Sequence, residues 1–338
     1  MTQAAIYGLA GEALTADEAR FFADSDPAGY ILFKRNIADR DQLRRLTDDL
    51  RAVHGRGDLP ILIDQEGGRV ARMRPPIWPA FPSGEVFDRL YQLAPSSAIE
   101  AARVNARALA LMLAEVGINV DCMPMLDVRQ PGASDIVGDR ALGANPMQVS
   151  ALGKAILAGL ASAGVIGVIK HIPGHGRALV DSHHHLPTVS ASDDELGTDL
   201  EPFERLRDAP MGMTSHIVYT AWDADRPASQ SATIIHDIIR GRIGFDGFLM
   251  SDDIGMEALA GDHGSRAAAC VAAGCDVALH CDGGVMATMV AVAAAVPALS
   301  DDGGARLARA MAGQYAVADD EMDFAAALDK RDRLLALA

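Results

Sequence analysis

A chain of 338 residues holds one large domain or two ordinary ones, and 49% apolar residues are enough to fill a sizeable core. The formal net charge of -16 makes phosphate-rich partners unfavourable, so nucleic acid and anionic membrane faces are excluded as working expectations. No apolar run reaches the ~18 residues of a membrane span; the stretch from Met289 to Leu299 is short and interrupted by Pro297.

The N-terminus, Met1 to Tyr7, shows neither a basic segment nor a long apolar core, so no signal peptide is expected and the cytoplasm is the expected compartment. Cys122, Cys270, Cys275 and Cys281 form no C-x-x-C pair. They read as buried core thiols, without disulfide or zinc.

In chain order, strand-like apolar runs alternate with amphipathic helical stretches. Ala4 to Leu9 is the first expected strand, and Thr15-Ala16-Asp17-Glu18 opens a helix with a capping box. Gly29 to Phe33 is a second strand, Asp39 to Val53 a helix and Leu59 to Ile63 a third strand. An irregular, proline-rich piece runs from Gly67 to Gly84, and Ser96 to Val116 is a helix ended by Gly117. Ile118 to Cys122, Val165 to Ile169, Met211 to Thr214, Gly247 to Met250 and Asp276 to His280 complete the strands. Helices are expected between them at Pro146 to Ala163, from about Asp193, at Ser231 to Arg240 and at Gly264 to Ala273. Three more follow the last strand, at Val285 to Val296, Gly304 to Ala316 and Asp323 to Leu335.

Eight such βα units predict an α/β fold, a single-domain (β/α)8 TIM-type barrel over residues 1–338. The rival, a doubly wound open sheet binding a dinucleotide, needs a G-x-G-x-x-G after its first strand, which is missing here. Reactive-looking residues fall just after the expected strands: Asp64, then Asp139 and Arg140, Lys170 and His171, Ser215 and His216, and Ser251 to Asp253. A barrel gathers all of these on its C-terminal face, where active sites sit.

The densest cluster is the expected loop after the fifth strand, Lys170-His171-Ile172-Pro173-Gly174-His175-Gly176 continuing to Asp181-Ser182-His183-His184-His185-Leu186-Pro187. Five His, one Lys and one Asp within sixteen residues suit an active-site wall better than a surface turn. Asp181, two residues before His183, can orient an imidazole for proton transfer, although spacing does not choose among His183, His184 and His185. Asp252 and Asp253 offer a nucleophilic carboxylate, or a cap for the next helix. Asp64, Arg72, Arg140, Lys170 and His171 form a mixed polar cradle of the kind sugar hydroxyls require.

Taken together, Ile63-Asp64-Gln65-Glu66-Gly67-Gly68-Arg69-Val70-Ala71-Arg72, Gly138-Asp139-Arg140, Lys170 to Gly176, Asp181-Ser182-His183, Leu186-Pro187, Thr214 to Tyr219 and Ser251-Asp252-Asp253 resemble glycoside hydrolase family 3, in its bacterial cytoplasmic β-N-acetylglucosaminidase branch. The resemblance implies retaining removal of a terminal β-linked N-acetylglucosamine. Asp252 would be the nucleophile, and His183 the acid/base with Asp181 as its dyad partner. Asp64, Arg72, Arg140, Lys170 and His171 would bind the sugar. It implies no metal and no cofactor, and substrates that are small soluble amino-sugar glycans or muropeptides such as N-acetylglucosaminyl-1,6-anhydro-N-acetylmuramic acid. A monomer is expected.

Ile172 stands where the family often has Phe, Gln65 where His is frequent, and Ala141-Leu142 where Ser-Phe is usual. None of these removes a reacting group. The α/β-sandwich domain of larger family members is not expected, so the whole site is expected to come from the barrel. Aromatic residues are scarce, at 5% with two Trp, which favours small glycans over a long polysaccharide. The rival readings are a family-related phosphorylase or β-glucosidase, a metal-dependent amidohydrolase and a non-catalytic sugar-binding barrel. The amidohydrolase lacks its usual His-x-His after the first strand, where this chain has Tyr7-Gly8-Leu9.

Overall fold

The computed structural model of the chain describes residues 1–132, 134–182, 185–313 and 322–338. Ten strands are found among them: β1 (Gln3–Gly8), β2 (Pro27–Leu32), β3 (Ile61–Ile63), β4 (Val120–Asp121), β5 (Ile166–Ile172), β6 (Thr188–Val189), β7 (Met211–Thr214), β8 (Val218–Tyr219), β9 (Phe248–Asp253) and β10 (Val277–His280). Eight of them close a parallel barrel in the order β1-β10-β9-β7-β5-β4-β3-β2. The expected (β/α)8 barrel is therefore the observed one.

Period-two alternation sorts the strand residues to the two sides of the wall. Ala4, Ile6, Ala28, Ile31, Leu62, Val120, Val168, Met213, Met250 and Leu279 fill the barrel interior. Ala5, Tyr7, Tyr30, Leu32, Ile61, Ile63 and Ala278 pack outward with the helices in the larger core. Ala310 and Met311 from the helix Asp301–Ala312 join the interior cluster.

The surrounding helices are α1 (Ala16–Ser25), α2 (Arg40–His54), α3 (Gly84–Leu93), α4 (Pro95–Glu115), α5 (Pro146–Ala161), α6 (Asp193–Arg205), α7 (His263–Ala273), α8 (Met286–Ala295), α9 (Asp301–Ala312) and α10 (Phe324–Leu335). The stretch expected as a helix from Ser231 to Arg240 is a wider π-helical turn over Ile234–Arg242. The Thr15/Glu18 capping box is present on α1, and Asn145, Ser192 and Asp262 cap α5, α6 and α7 through their side chains. Neither Asp252 nor Asp253 caps a helix: that role at α7 belongs to Asp262.

One helix and a pair of short strands go beyond the expected set. Helix α3 follows the irregular stretch that ends at Gly84 and fills residues for which no element is expected. The short strands β6 and β8 pair in parallel outside the barrel and tie together the loops after β5 and β7. Cys122, Cys270 and Cys275 are buried and Cys281 is half-buried; all four are free thiols. Among the described residues no helix is long and apolar enough to cross a membrane.

Candidate active site

The site is built from the ends of β3, β5 and β9 and the loops beside them. Strand β5, seven residues long, carries Lys170 and His171 inside the barrel wall, not in the loop after it. The backbone explains the difference. Lys170 bridges Met125 and its carbonyl accepts the Leu126 amide at 2.7 Å, so pairing keeps the strand extended past the last apolar residue. Asp252 and Asp253 likewise end β9 instead of following it.

At the floor, five side chains form one continuous chain of ion pairs. Arg72 Nη2 donates to Asp64 Oδ2 at 3.0 Å. Lys170 Nζ reaches Asp64 Oδ1 at 3.0 Å and Glu66 Oε1 at 2.7 Å. Arg140 holds Glu66 in a fork, Nη2 to Oε1 at 2.7 Å and Nε to Oε2 at 2.9 Å. Lys170 is 2% exposed, so these contacts act in a low-dielectric setting where an unpaired charge would be costly.

Burial by itself pushes the Asp64 and Glu66 carboxyls up; Lys170 with Arg72, and Arg140 with Lys170, outweigh it and hold both below the usual carboxylate range. The same two carboxylates overcome the cost of burying the Lys170 ammonium and raise its pKa. Asp121, behind them, makes no ion pair among the described residues, and the Lys170 charge opposes its burial only in part. Burial drives its carboxyl well up, and its one resolved bond accepts the Gln65 amide.

Gln65 brings Arg72 to the floor. Its Oε1 accepts the amides of Arg72 and Met73, and its Nε2 donates to the Met73 carbonyl, so a buried glutamine folds the loop after β3 back on itself. The Arg72 guanidinium lies 5.1 Å from the Phe33 ring centroid, and among the described residues its buried Nε has no hydrogen-bond partner.

Asp127, fully buried, orients the next pair. Its Oδ2 meets His171 Nδ1 at 2.7 Å, and its Oδ1 accepts the backbone amides of His171 at 3.2 Å and His175 at 2.6 Å. Despite burial, the two histidines keep the Asp127 carboxyl below its usual range. With Nδ1 engaged, Nε2 is the ring nitrogen that His171 has for a ligand. The glycines of the P-G-H-G run have steric reasons. A Cβ on Gly176 would stand 1.9 Å from the Val128 carbonyl oxygen, and Gly174 adopts φ +136° against Asp199.

Across the mouth, Asp252 Oδ1 accepts the Asp253 amide at 2.8 Å. Asp253 is structural: its Oδ1 takes the amides of Gly255 and Cys281. Buried His216 fastens this corner, with Nε2 donating to the Asp253 carbonyl at 3.0 Å and Nδ1 accepting from Ser229 at 2.7 Å. Burial lowers the pKa of His216, and the negative charge of Asp252 opposes that shift. The Asp252 charge acts in the same sense on His175, whose pKa burial lowers to about 4.

Of the residues expected from sequence, Asp64 joins Arg72 and Lys170 directly, Arg140 reaches them through Glu66, His171 follows Lys170 on β5, and Asp252 lies at the end of β9 on the same rim. Asp181 is half-buried in the chain between β5 and β6, and its carbonyl accepts the His185 amide. His183 and His184 lie outside the described residues. Asp139 does not join the site; it pairs with Arg69 at the surface. Sequence reasoning passed over Glu66, Asp127, His175 and Ser182 as site residues. Each stood inside or beside a motif, but an acid that serves another side chain has no signature of its own.

The comparisons with known proteins agree with this geometry. Residues 4–311 match the glycosyl hydrolase family 3 N-terminal domain. A β-hexosaminidase of Aromatoleum aromaticum is 39% identical over 279 residues, 81% of this chain and 78% of that protein. One from Bordetella avium is 38% identical over 283 residues, 81% of this chain and 79% of its own length. The fold matches NagZ from Neisseria gonorrhoeae, solved with N-trifluoroacetyl-D-glucosamine, with a TM-score of 0.86 and 32% identity over 100% of this chain and 98% of the other. The chain therefore belongs to glycosyl hydrolase family 3, as a glycosidase grouped with its β-hexosaminidases.

Proposed function

We propose that the chain is a retaining exo-β-N-acetylglucosaminidase, a monomer built on a single catalytic barrel. In this reading the terminal N-acetylglucosamine sits over the Asp64, Arg72, Arg140, Lys170 and His171 floor. The Asp252 carboxylate attacks the anomeric carbon while His183, oriented by Asp181, protonates the departing glycosidic oxygen. The C1–O bond to the leaving group breaks as the C1–O bond to Asp252 forms. In the second step His183 takes a proton from water, which displaces Asp252 and releases the sugar with its configuration retained.

The observation that carries the reading is the joint placement of a salt-linked polar floor and a carboxylate held by its neighbour's amide on one barrel rim. A sugar needs several fixed donors and acceptors at once, and the floor supplies them already positioned. The proposed physiological substrate is N-acetylglucosaminyl-1,6-anhydro-N-acetylmuramic acid or its peptide, from cell-wall recycling, and the compartment that goes with it is the cytoplasm. The support is the kinship with β-hexosaminidases and with NagZ.

The test is turnover of p-nitrophenyl N-acetyl-β-glucosaminide by wild type, Asp252→Ala and His183→Ala, each with and without EDTA. Wild-type turnover indifferent to EDTA and nearly abolished in Asp252→Ala is expected. Full activity in Asp252→Ala would overturn the covalent mechanism, and loss with EDTA restored by zinc would favour a metal hydrolase.

A further inference from the structure

The stretch from Leu179 to Leu186 carries the proposed acid/base dyad, yet its apolar side chains contribute little anchoring. Leu179 is 70% exposed, Val180 39% and Leu186 40%. Hydrophobic burial therefore does not set where Asp181 stands. Polar contacts do, one of them buried and one part-buried.

In the first, His175 Nε2 lies 3.1 Å from Ser182 Oγ, with His175 3% and Ser182 2% exposed. Burial holds His175 in its neutral form near neutral pH, and Asp127 anchors its backbone amide. Ser182 directly follows Asp181 in the chain, so a bond to its side chain fixes the backbone on which Asp181 is mounted.

In the second, Arg177 Nε donates to Asp199 Oδ2 at 2.6 Å, and Arg177 Nη2 donates to the Glu195 carbonyl at 2.9 Å. Both acceptors lie on α6. Asp199 is 2% exposed, and a Cβ on Gly174 would come within 3.1 Å of its Cβ, so the chain crosses the helix in direct contact. Burial pushes the Asp199 carboxyl up to about 6, which leaves it ionised at neutral pH and facing the guanidinium. Tyr219 adds a donor to the Gly174 carbonyl at 2.7 Å from β8.

We propose that these two clamps, His175 on Ser182 and Asp199 on Arg177, are positioning residues for proton transfer to the leaving group. The inference rests on the assignment of Asp181 and His183 as the acid/base dyad. None of the four side chains donates that proton; they hold the backbone that carries Asp181, its proposed partner.

The experiment is a leaving-group series of aryl N-acetyl-β-glucosaminides, read as kcat/KM for wild type, Ser182→Ala, Arg177→Ala, Arg177→Lys and Asp199→Asn. Poor leaving groups need the proton and dinitrophenol does not. The clamp variants should lose ~10- to 100-fold on poor leaving groups, part of the ~10²–10⁴ that a positioned acid/base supplies. Their rate on the dinitrophenyl glycoside should stay near wild type. Arg177→Lys should recover part of the loss, because an ammonium keeps the charge facing Asp199 but not both bonds. Equal losses across the series, or rates unchanged in every variant, would overturn the proposal. Should Ser182→Ala fail to fold, Arg177→Ala at the surface end of the other clamp decides. Asp252→Ala separates the two levels: an inactive Asp252→Ala beside unaltered clamp variants sinks only the clamps, whereas an active one sinks the site assignment itself.

Discussion

Replacing Glu66 by Gln tests whether the floor of the site is held by charge. Glu66 is only 9% exposed and serves two cations, Arg140 through both carboxylate oxygens and Lys170 through Oε1. A glutamine keeps the shape and one acceptor, but its amide group turns a donor toward a donor and removes one negative charge. Breaking a buried pair by removing one partner costs ~3–5 kcal/mol. Lys170 keeps Asp64 at 3.0 Å as a second partner, which puts the expected loss at the lower end, ~3 kcal/mol.

Urea unfolding at neutral pH, with the slope m unchanged, is the measurement. The pH dependence gives a second check. Burial raises the Glu66 carboxyl, but Arg140 and Lys170 outweigh it and depress its folded pKa well below the ordinary value. The stability it contributes is therefore complete above the unfolded pKa of ~4.3. It drains away as the pH falls from there through the folded value. The gap between wild type and Glu66→Gln should be flat from neutral pH down to ~5 and narrow below ~4. A gap under ~1 kcal/mol at neutral pH, the range of an exposed ion pair, or one that widens in acid, would refute the reasoning.

Two further outcomes follow from the site. Asp127→Asn removes the charge opposite His171 Nδ1 and weakens the hold on the His175 amide; kcat/KM should fall ~10- to 100-fold, the worth of a charge-assisted hydrogen bond, measured by steady-state kinetics. Added inorganic phosphate should leave free N-acetylglucosamine as the sugar product; appearance of the sugar 1-phosphate by phosphorus NMR would instead identify a phosphorylase.

The barrel was legible because its strands carry their signal locally. Apolar runs such as Val165 to Ile169 and Met211 to Thr214 announce themselves, and each barrel strand found overlaps an expected one. Strand ends were less legible where the chemistry begins. Lys170 and His171 look like loop residues because charge ends the apolar run, yet pairing with residues 125–126 continues the strand. Lys170, Asp64, Arg72 and Arg140 were found because they stand in motifs. Glu66 and Asp127 were not assigned roles, because what each does is defined by a partner 74 or 44 positions away in the chain. Such pairings exist only once the barrel has closed.

The charge balance of the floor also bears on what it can bind. Three cations, Arg72, Lys170 and Arg140, meet two carboxylates, Asp64 and Glu66, in direct contact. Beyond these two, the charge of Asp127 acts on Arg140, while Asp121 is driven toward its neutral form by burial. A charged ligand would have to displace one of these partners and leave a buried charge uncompensated, which is costly. A neutral sugar can exchange hydroxyls for solvent on groups that remain paired. The ion pairs that hold the floor together therefore suit a neutral ring, and replacing Glu66, which touches both Lys170 and Arg140, is expected to lower sugar affinity as well as stability.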